Sequence, residues 1–451
     1  MSDFTVKLMA VTEDSQLISA AGALGCFDED VSYEVLEKLL FLSPEERDKK
    51  CKAVLKNSFG MGHGAVGDQN CFIFSIENLP RAATLQLCLP EYAAHLQQSL
   101  RRAKPERGFH VPEVIKNSSL FEETEAVLNE SFQFYKEATS AGIPGEDARY
   151  LLPLYTRTNI QTAVDARELC HLWAMSNRDG VPLVVKAVVG EMMFLAEREA
   201  PHLFENFGAN YESLAWNPSS QLFAEENKTI ERLVDRYETK DRQVVLLDQP
   251  LLNEAITTET IREAIQNRNE AELANLKHIH FEFLALMSLA CFHQATRQRT
   301  WNQSVESIYD AAFCDLVAPL SRMFIPESIK KSMFAGRYKN LYHRMIKLFG
   351  SLIRILPMSE AIGVVPHSLM VYDWIHVNGW NAIHAIGKRT CTKAQLEIRR
   401  IAWAMARQIR KAAPIFDGYV EPQCITYGKC PEKEPCDYVE RKKAREKKKN
   451  K

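Results

Sequence analysis

No stretch of these 451 residues stays apolar long enough to cross a bilayer; the longest such run, Val181 to Ala196, is interrupted by Lys186 and Glu191. The chain also lacks an excess of either charge. Its 56 lysines and arginines face 58 aspartates and glutamates, a net of -2, which argues against nucleic acid as the main partner but leaves room for a local anion site. The opening MSDFTVKLMAVTEDSQ has no basic start followed by an apolar run, so no secretory leader is expected. The 11 cysteines are odd in number and scattered, as expected of reduced thiols in a cytoplasmic protein. Low-complexity sequence is confined to the basic end, RKKAREKKKNK, read as a solvated, mobile tail. Several catalytic signatures are missing as well: there is no GxSxG, HExxH, Walker loop or carboxylate cluster for a metal. What remains is an ordinary globular composition, 46% hydrophobic and 25% charged, long enough for two or three domains.

The chain contains one pattern twice. In each half an aromatic-rich, strand-like segment leads into an apolar helix carrying a glutamine, Gln86 or Gln294. Each half then shows a Pro-Glu pair, Pro112-Glu113 or Pro326-Glu327. Each ends with a proline followed twelve residues later by Asp or Asn, Pro153 to Asp165 and Pro366 to Asn378, and six residues beyond by His171 or His384. Shared order with identical spacings marks an internal repeat. The expected units are 1–215 and 216–420, followed by a Cys-containing basic tail, 421–451. The turn-rich stretch Gly208 to Ser220 supplies the boundary.

Periodicity predicts helix over 31–58, a strand over 70–77 and helix over 80–102 with a break near Pro90. Further helices are expected over 120–140 and 145–152, and over 162–200 with an interruption at Gly180-Val181-Pro182. The fold class is α+β, helix-rich with small sheets.

Gly62-His63-Gly64-Ala65-Val66-Gly67 matches GxGxxG literally. A charged helix precedes it and a strand follows, the reverse of the order a dinucleotide-binding unit needs. Arg297-Gln298-Arg299, at the end of an apolar helix, could clamp separate phosphate oxygens, or be a solvated helix end. Ser99-Leu100-Arg101-Arg102 puts a hydroxyl and a guanidinium within one turn, which suits a phosphate monoester or an ordinary basic surface turn. Cys391, Cys424, Cys430 and Cys436 fit no common zinc spacing, and no metal ligand is assigned.

Taken in order, GHGAV, QQSLR, GEDARYLLP, DARELCH, QATRQRT and KAQLEIR resemble the motifs of the flavin-dependent thymidylate synthase family, once per half. The resemblance implies two tandem units of that fold, FAD as cofactor, dUMP and a methylene-tetrahydrofolate as substrates, and NADPH as reductant. It implies a methyltransferase of dTMP biosynthesis in the cytoplasm.

The departures are as informative. In the first half Leu89-Pro90-Glu91 replaces the family's Arg-His-Arg triplet and Ser176 its late arginine; His63, Gln86, Ser99, Arg101, Arg149 and Arg167 are kept. In the second half Ala271-Glu272-Leu273-Ala274 replaces the GH-G-S turn, Ile362 the Asp-Ala-Arg arginine and Ser307-Ile308-Tyr309 the Ser-x-Arg end; Gln294, Arg297, Arg299, Asn378, Arg389 and Gln395 are kept. The triplet histidine is absent from both halves, its second-half position being Gln298. Family sites are built between subunits of a homotetramer, and the two halves have decayed along that division of labour. The resemblance therefore implies a fused pseudo-dimer whose halves complement each other, with a homodimer of this chain standing for the tetramer.

By the same resemblance Ser99, Arg101 and Arg149 hold the nucleotide phosphate, and Arg389 is the catalytic cation facing the uracil. Gln86, Gln97, Gln294 and Arg297 are further substrate contacts. Arg297, Arg299, His63, Asn378, His384 and Arg167 hold the flavin. Two alternatives stay open: a non-catalytic relative that binds a nucleotide or flavin or serves as a scaffold subunit, and the same fold acting on another pyrimidine nucleotide.

Overall fold

The computed structural model describes residues 4–205, 218–237 and 243–449. The boundary expected at 215/216 lies outside the described residues. The fold is α+β, and each half builds a four-stranded antiparallel sheet of the same order. The first joins β1 (Thr5–Val11), β2 (Phe72–Pro80), β3 (Ala94–Gln97) and β4 (Arg157–Val164) in the order β1-β2-β4-β3. The second joins β5 (Val244–Leu246), β6 (His280–Ser288), β7 (Asn302–Val305) and β8 (Met370–Asn378) in the order β5-β6-β8-β7. Alternation sets which face is buried: Phe72, Phe74 and Ile76 of β2 point inward, fully covered, and pair across to Val164, Thr162 and Ile160 of β4.

The helices repeat too. In the first half they are α1 (Arg81–Leu87), α2 (Phe121–Ser140), α3 (Ala166–Ser176) and α4 (Leu183–Glu199). Their second-half counterparts include α5 (Leu289–Ala295), α6 (Ala335–Leu352) and α7 (Leu396–Ala412). Helix α4 packs on β1, β2 and α1, just as α7 packs on β5, β6 and α5. Burial of Val185, Val188, Val189 and Met192 on α4, and of Ile398, Ile401, Ala402 and Met405 on α7, supplies the apolar stripe each sheet needs.

By packing, the chain forms two compact units that do not follow the repeats. The first unit comprises residues 1–225, 315–320 and 328–367; the second comprises 226–314, 321–327 and 368–451. A piece of the second repeat is thus built into the first unit. There α6 lies along α2, with Arg337 paired to Glu137, Arg344 to Glu130, and Tyr338 edge-on to Phe134 at 5.8 Å. Next to this helix pair, equivalent residues of the two repeats bond to each other. Leu154 N donates to Val365 O (2.9 Å), His367 N donates to Leu152 O (3.0 Å), and Pro153 bridges Pro366. Exchanging the repeats turns one bond into the other, so a local pseudo-two-fold axis passes between the prolines. Gly363 allows the close approach: a Cβ there would fall 2.0 Å from the Tyr155 ring.

Several local expectations change. The helix expected over 31–58 is two, Ser32–Leu40 and Pro44–Asn57, because Ser43 and Glu46 form a capping box that starts a new helix at Pro44. The helix expected over 80–102 ends at Leu87, and Ala94–Gln97 is a strand. The start of the 162–200 segment belongs to β4, with helix beginning at Ala166. The basic tail is helical over Tyr438–Lys449 and docked at its start, where Lys442 pairs with Glu421 and Tyr438 lies against Trp403. No helix of the described residues is long and apolar enough to cross a membrane.

Candidate functional site

In the first unit the Ser99–Arg102 segment leaves β3 as a tight turn. Ser99 Oγ accepts from Arg101 N (3.2 Å), while Arg102 and Ala103 N donate to Ser99 O. Arg101 and Arg149 meet at one residue: Arg101 Nε donates to the Glu146 carboxylate (2.7 Å) and Arg149 Nε to its main-chain oxygen (3.2 Å). Arg101 is partly exposed and Arg149 is buried. The structure therefore gathers two of the expected phosphate ligands around Glu146. Gln97 Nε2 donates to Thr84 Oγ1 (2.7 Å), tying β3 to α1. Gln86, on the same helix, is fully buried with neither side-chain amide atom partnered. A buried amide in that condition is costly unless something else supplies an acceptor and a donor.

Around the glycine turn, His63 is exposed and Gly62 takes φ 98°, a value that favours glycine. Arg167 lies on Gly64, where a Cβ would come 2.6 Å from its Cδ, and pairs with Asp68 (2.7 Å). His63 and Arg167, both expected to contact the flavin, lie at one turn. Asp165 caps α3 by accepting from Glu168 N (2.7 Å). Burial pushes its carboxyl up to about 6, opposed by that bond and reinforced by Asp68 and Glu168.

In the second unit the QATRQRT segment ends α5. Arg297 and Arg299 are exposed there, and Gln298 is half-buried. With the Gln298 amide turned so that its oxygen faces Arg389, that oxygen accepts from Arg389 Nε (3.0 Å) and Nη2 (2.6 Å). The opposite orientation would set NH2 against N–H donors. Arg389 Nη2 also donates to Gln294 O (3.2 Å). Gln294 Nε2 in turn donates to Gln395 Oε1 (3.1 Å), and Gln395 is buried. The KAQLEIR segment braces the same helix: Glu397, fully buried, accepts from Ser288 N (2.8 Å) and Ser288 Oγ (2.6 Å) at the start of α5. Gln294, Arg389, Gln395 and Gln298 therefore form one hydrogen-bonded chain.

Asn378 caps the helix after β8, its side-chain oxygen accepting from Asn381 N (2.9 Å), as Asp165 does in the first half. His384 stacks on Trp380 at 5.8 Å, and burial, helped by Lys388, lowers its pKa.

Four residues of the two units escaped sequence reasoning. Gln298 reads as a loss because the motif expects histidine. Glu146 and Glu397 look like surface helix charges. Arg81 is a basic residue inside the apolar run LPRAATLQLCL, which is the signal that could have found it. Burial raises the Cys424 thiol, and Cys430, Cys391 and Cys436 add to the rise. Among the described residues, however, no three His, Cys, Asp or Glu side chains are arranged to hold a metal ion.

Comparison with known proteins matches this arrangement twice. The family model described as Thymidylate synthase complementing protein covers residues 7–202 and again 221–415. The flavin-dependent thymidylate synthase of Geobacter sulfurreducens is 30% identical over 208 residues, 45% of this chain and 86% of the relative. That of Pyrococcus abyssi is 31% identical over 184 residues, 39% and 72% respectively. Among solved structures, a UMP/dUMP methylase PolB from Streptomyces cacaoi bound with 5-Br dUMP aligns at 17% identity and TM-score 0.40, covering 46% of this chain and 96% of its own. The chain belongs to the Thymidylate synthase complementing protein family and carries that family's domain twice.

Proposed function

We propose that this protein is a flavin-dependent thymidylate synthase in which a working site draws on residues that only one half, in each case, has kept. The observation that carries the reading is the division of retained residues. The first unit gathers Arg101 and Arg149 at Glu146, with Ser99 two residues before Arg101 in its turn. The second orders Arg389 against Gln298 and Gln294. The arginines among these groups have no counterpart in the opposite repeat: Tyr309 stands where Arg101 would be repeated, Ile362 where Arg149 would be and Ser176 where Arg389 would be.

On this reading Ser99, Arg101 and Arg149 bind the phosphate of dUMP through charge-assisted hydrogen bonds, with Gln86 and Gln97 as further substrate contacts. Arg389 faces the pyrimidine ring. Held along its Nε–Nη2 edge, it presents a fixed cation to the negative charge that develops as the ring carbon becomes nucleophilic. No cysteine nucleophile is required.

The residues present fit a flavin. Exposed guanidiniums at Arg297 and Arg299 suit its diphosphate, and the Asn378 side-chain NH2 is left to donate because its oxygen is committed to the cap. His63, Arg167 and His384 are the remaining proposed contacts. The chemistry supplied by a bound reduced flavin is hydride delivery, with NADPH as reductant and a methylene-tetrahydrofolate as carbon donor. The proposed assembly is a homodimer, and the proposed location the cytoplasm.

The test is direct. Purified protein should show a flavin absorption spectrum, perturbed by dUMP, and should form dTMP from dUMP in the presence of methylene-tetrahydrofolate and NADPH. A colourless protein that cannot be loaded with FAD would favour a non-catalytic role. A flavoprotein that methylates UMP but not dUMP would favour another pyrimidine nucleotide.

A further inference from the structure

The first unit buries a cation for which the motifs provide no role. Arg81 opens α1 at 5% exposure. Its Nη2 donates to the main-chain oxygen of Gln98 (3.1 Å), the residue before Ser99, and its Nε is buried with no acceptor. A buried guanidinium ordinarily keeps a carboxylate beside it, because desolvating an unpaired charge is expensive. The ionisable groups that bear on Arg81 are instead Arg149, which repels it, and the weakly acidic Cys88 thiol. Burial chiefly, and Arg149 next, bring Arg81 down to about 9.

His367 stands in the same field. Its Nδ1 lies 2.6 Å from Leu152 O and must carry the proton donated there, which leaves Nε2 as a bare lone pair, buried and unpartnered. Burial, Arg81 and Arg149 push its pKa down to about 3, against the Leu152 bond. Two guanidiniums and a neutral imidazole therefore bear on one another electrostatically in the interior of the first unit, and Arg81 is tied there to the residue before Ser99.

We propose that Arg81 is a further ligand of a dianion site in the first unit, joining Ser99, Arg101 and Arg149, with His367 lining it, and that the site takes the doubly charged form of a phosphate monoester. This rests on the reading of Ser99, Arg101 and Arg149 as phosphate ligands. The family motifs do not include Arg81, and its repeat counterpart is Leu289. An anion here offsets a charge that otherwise destabilises the fold, so binding and stability are coupled.

The experiment is thermal unfolding of the full chain with and without inorganic phosphate and dUMP, at ionic strength matched with chloride, for wild type, Arg81→Met and Arg81→Lys. Phosphate should raise the wild-type midpoint by several degrees. Arg81→Met should be at least as stable as wild type without phosphate, and its apparent phosphate affinity should fall at least tenfold. Arg81→Lys, which keeps the charge, should retain part of the response; if Arg81→Met fails to fold, that response alone decides. Three outcomes overturn the inference: no phosphate effect on wild type, an undiminished effect in Arg81→Met, or an undiminished effect in Arg81→Lys should Arg81→Met not fold. A phosphate response lost in Arg81→Met without dTMP formation keeps the site and removes the enzyme reading. Turnover with an undiminished phosphate response in Arg81→Met does the reverse.

Discussion

The side-chain oxygen of Gln298 takes both Nε and Nη2 of Arg389, at 3.0 and 2.6 Å. One acceptor thus fixes the Nε–Nη2 edge of the guanidinium. The residue that departs from the family's triplet is the one that orients the expected catalytic cation. Hydrogen bonds to charged groups contribute about 1.5–3 kcal/mol. Gln298→Ala should accordingly lower kcat for dTMP formation roughly ten- to a hundredfold, with KM for dUMP little changed. Gln298→Glu, which keeps the acceptor, should recover most of it. Steady-state kinetics decides; an Ala variant with wild-type kcat would show that Arg389 is oriented by other contacts.

The contact between equivalent segments at Pro153 and Pro366 leaves no room for a methyl at residue 363. Tyr155 cannot swing away, since its hydroxyl is bonded to the Glu360 main-chain oxygen and its ring is buried. Gly363→Ala should therefore destabilise the protein by about 1–3 kcal/mol, the usual cost of overpacking. A denaturant midpoint equal to wild type would mean that this segment is not seated on Tyr155 in solution.

Asp373 is fully covered in β8, accepting from Gln303 Nε2 at 2.5 Å, with Oδ1 unpartnered. Burial raises its carboxyl from 3.8 to about 7, although the Gln303 bond opposes the rise. Between those values the folded chain holds a proton that the unfolded chain has released, so this group's contribution is present at low pH and lost as pH rises through about 7. Asp373→Asn removes that dependence. Urea unfolding should show the variant gaining on wild type between pH 5 and pH 8; a difference independent of pH would contradict the buried, protonated carboxyl.

Much of this was legible in the sequence, for definite reasons. The equal spacings from Pro153 to Asp165 and from Pro366 to Asn378 are those of two strands that each run into a capped helix, and both Asp165 and Asn378 do cap. Strand β2 announced itself by FIFSIE. Strand β3 did not: four residues, two of them exposed, hold their conformation only by pairing with β4. Strand β4 carried a period-two signal in Thr158, Ile160, Thr162 and Val164, but it abuts a helix and was partly absorbed into it. Packing was not legible at all. Nothing in residues 328–367 says that they fold with the first unit, because the spacing of apolar residues on a helix shows that one face is buried and not what buries it. Arg81 and Gln298 were missed because motif reasoning asks what matches, while their roles come from what lies beside them in space.

Glu397 tests the bracing of α5 independently of substrate. Its carboxylate takes both donors of Ser288 in a fully buried setting. Glu397→Ala leaves those donors unsatisfied and should cost about 2–4 kcal/mol, read as a lowered denaturant midpoint; Glu397→Gln should cost less. An unchanged midpoint for the alanine variant would show that α5 does not depend on α7.

The central claim is that two decayed copies of one domain supply complementary parts of one chemistry. Turnover of dUMP by Arg149→Ala and Arg389→Ala, each purified as a folded, flavin-loaded protein, tests it most directly. Although the two residues belong to different repeats, both substitutions should abolish dTMP formation. Full turnover in either variant would mean that one half suffices, and the complementation account would be wrong.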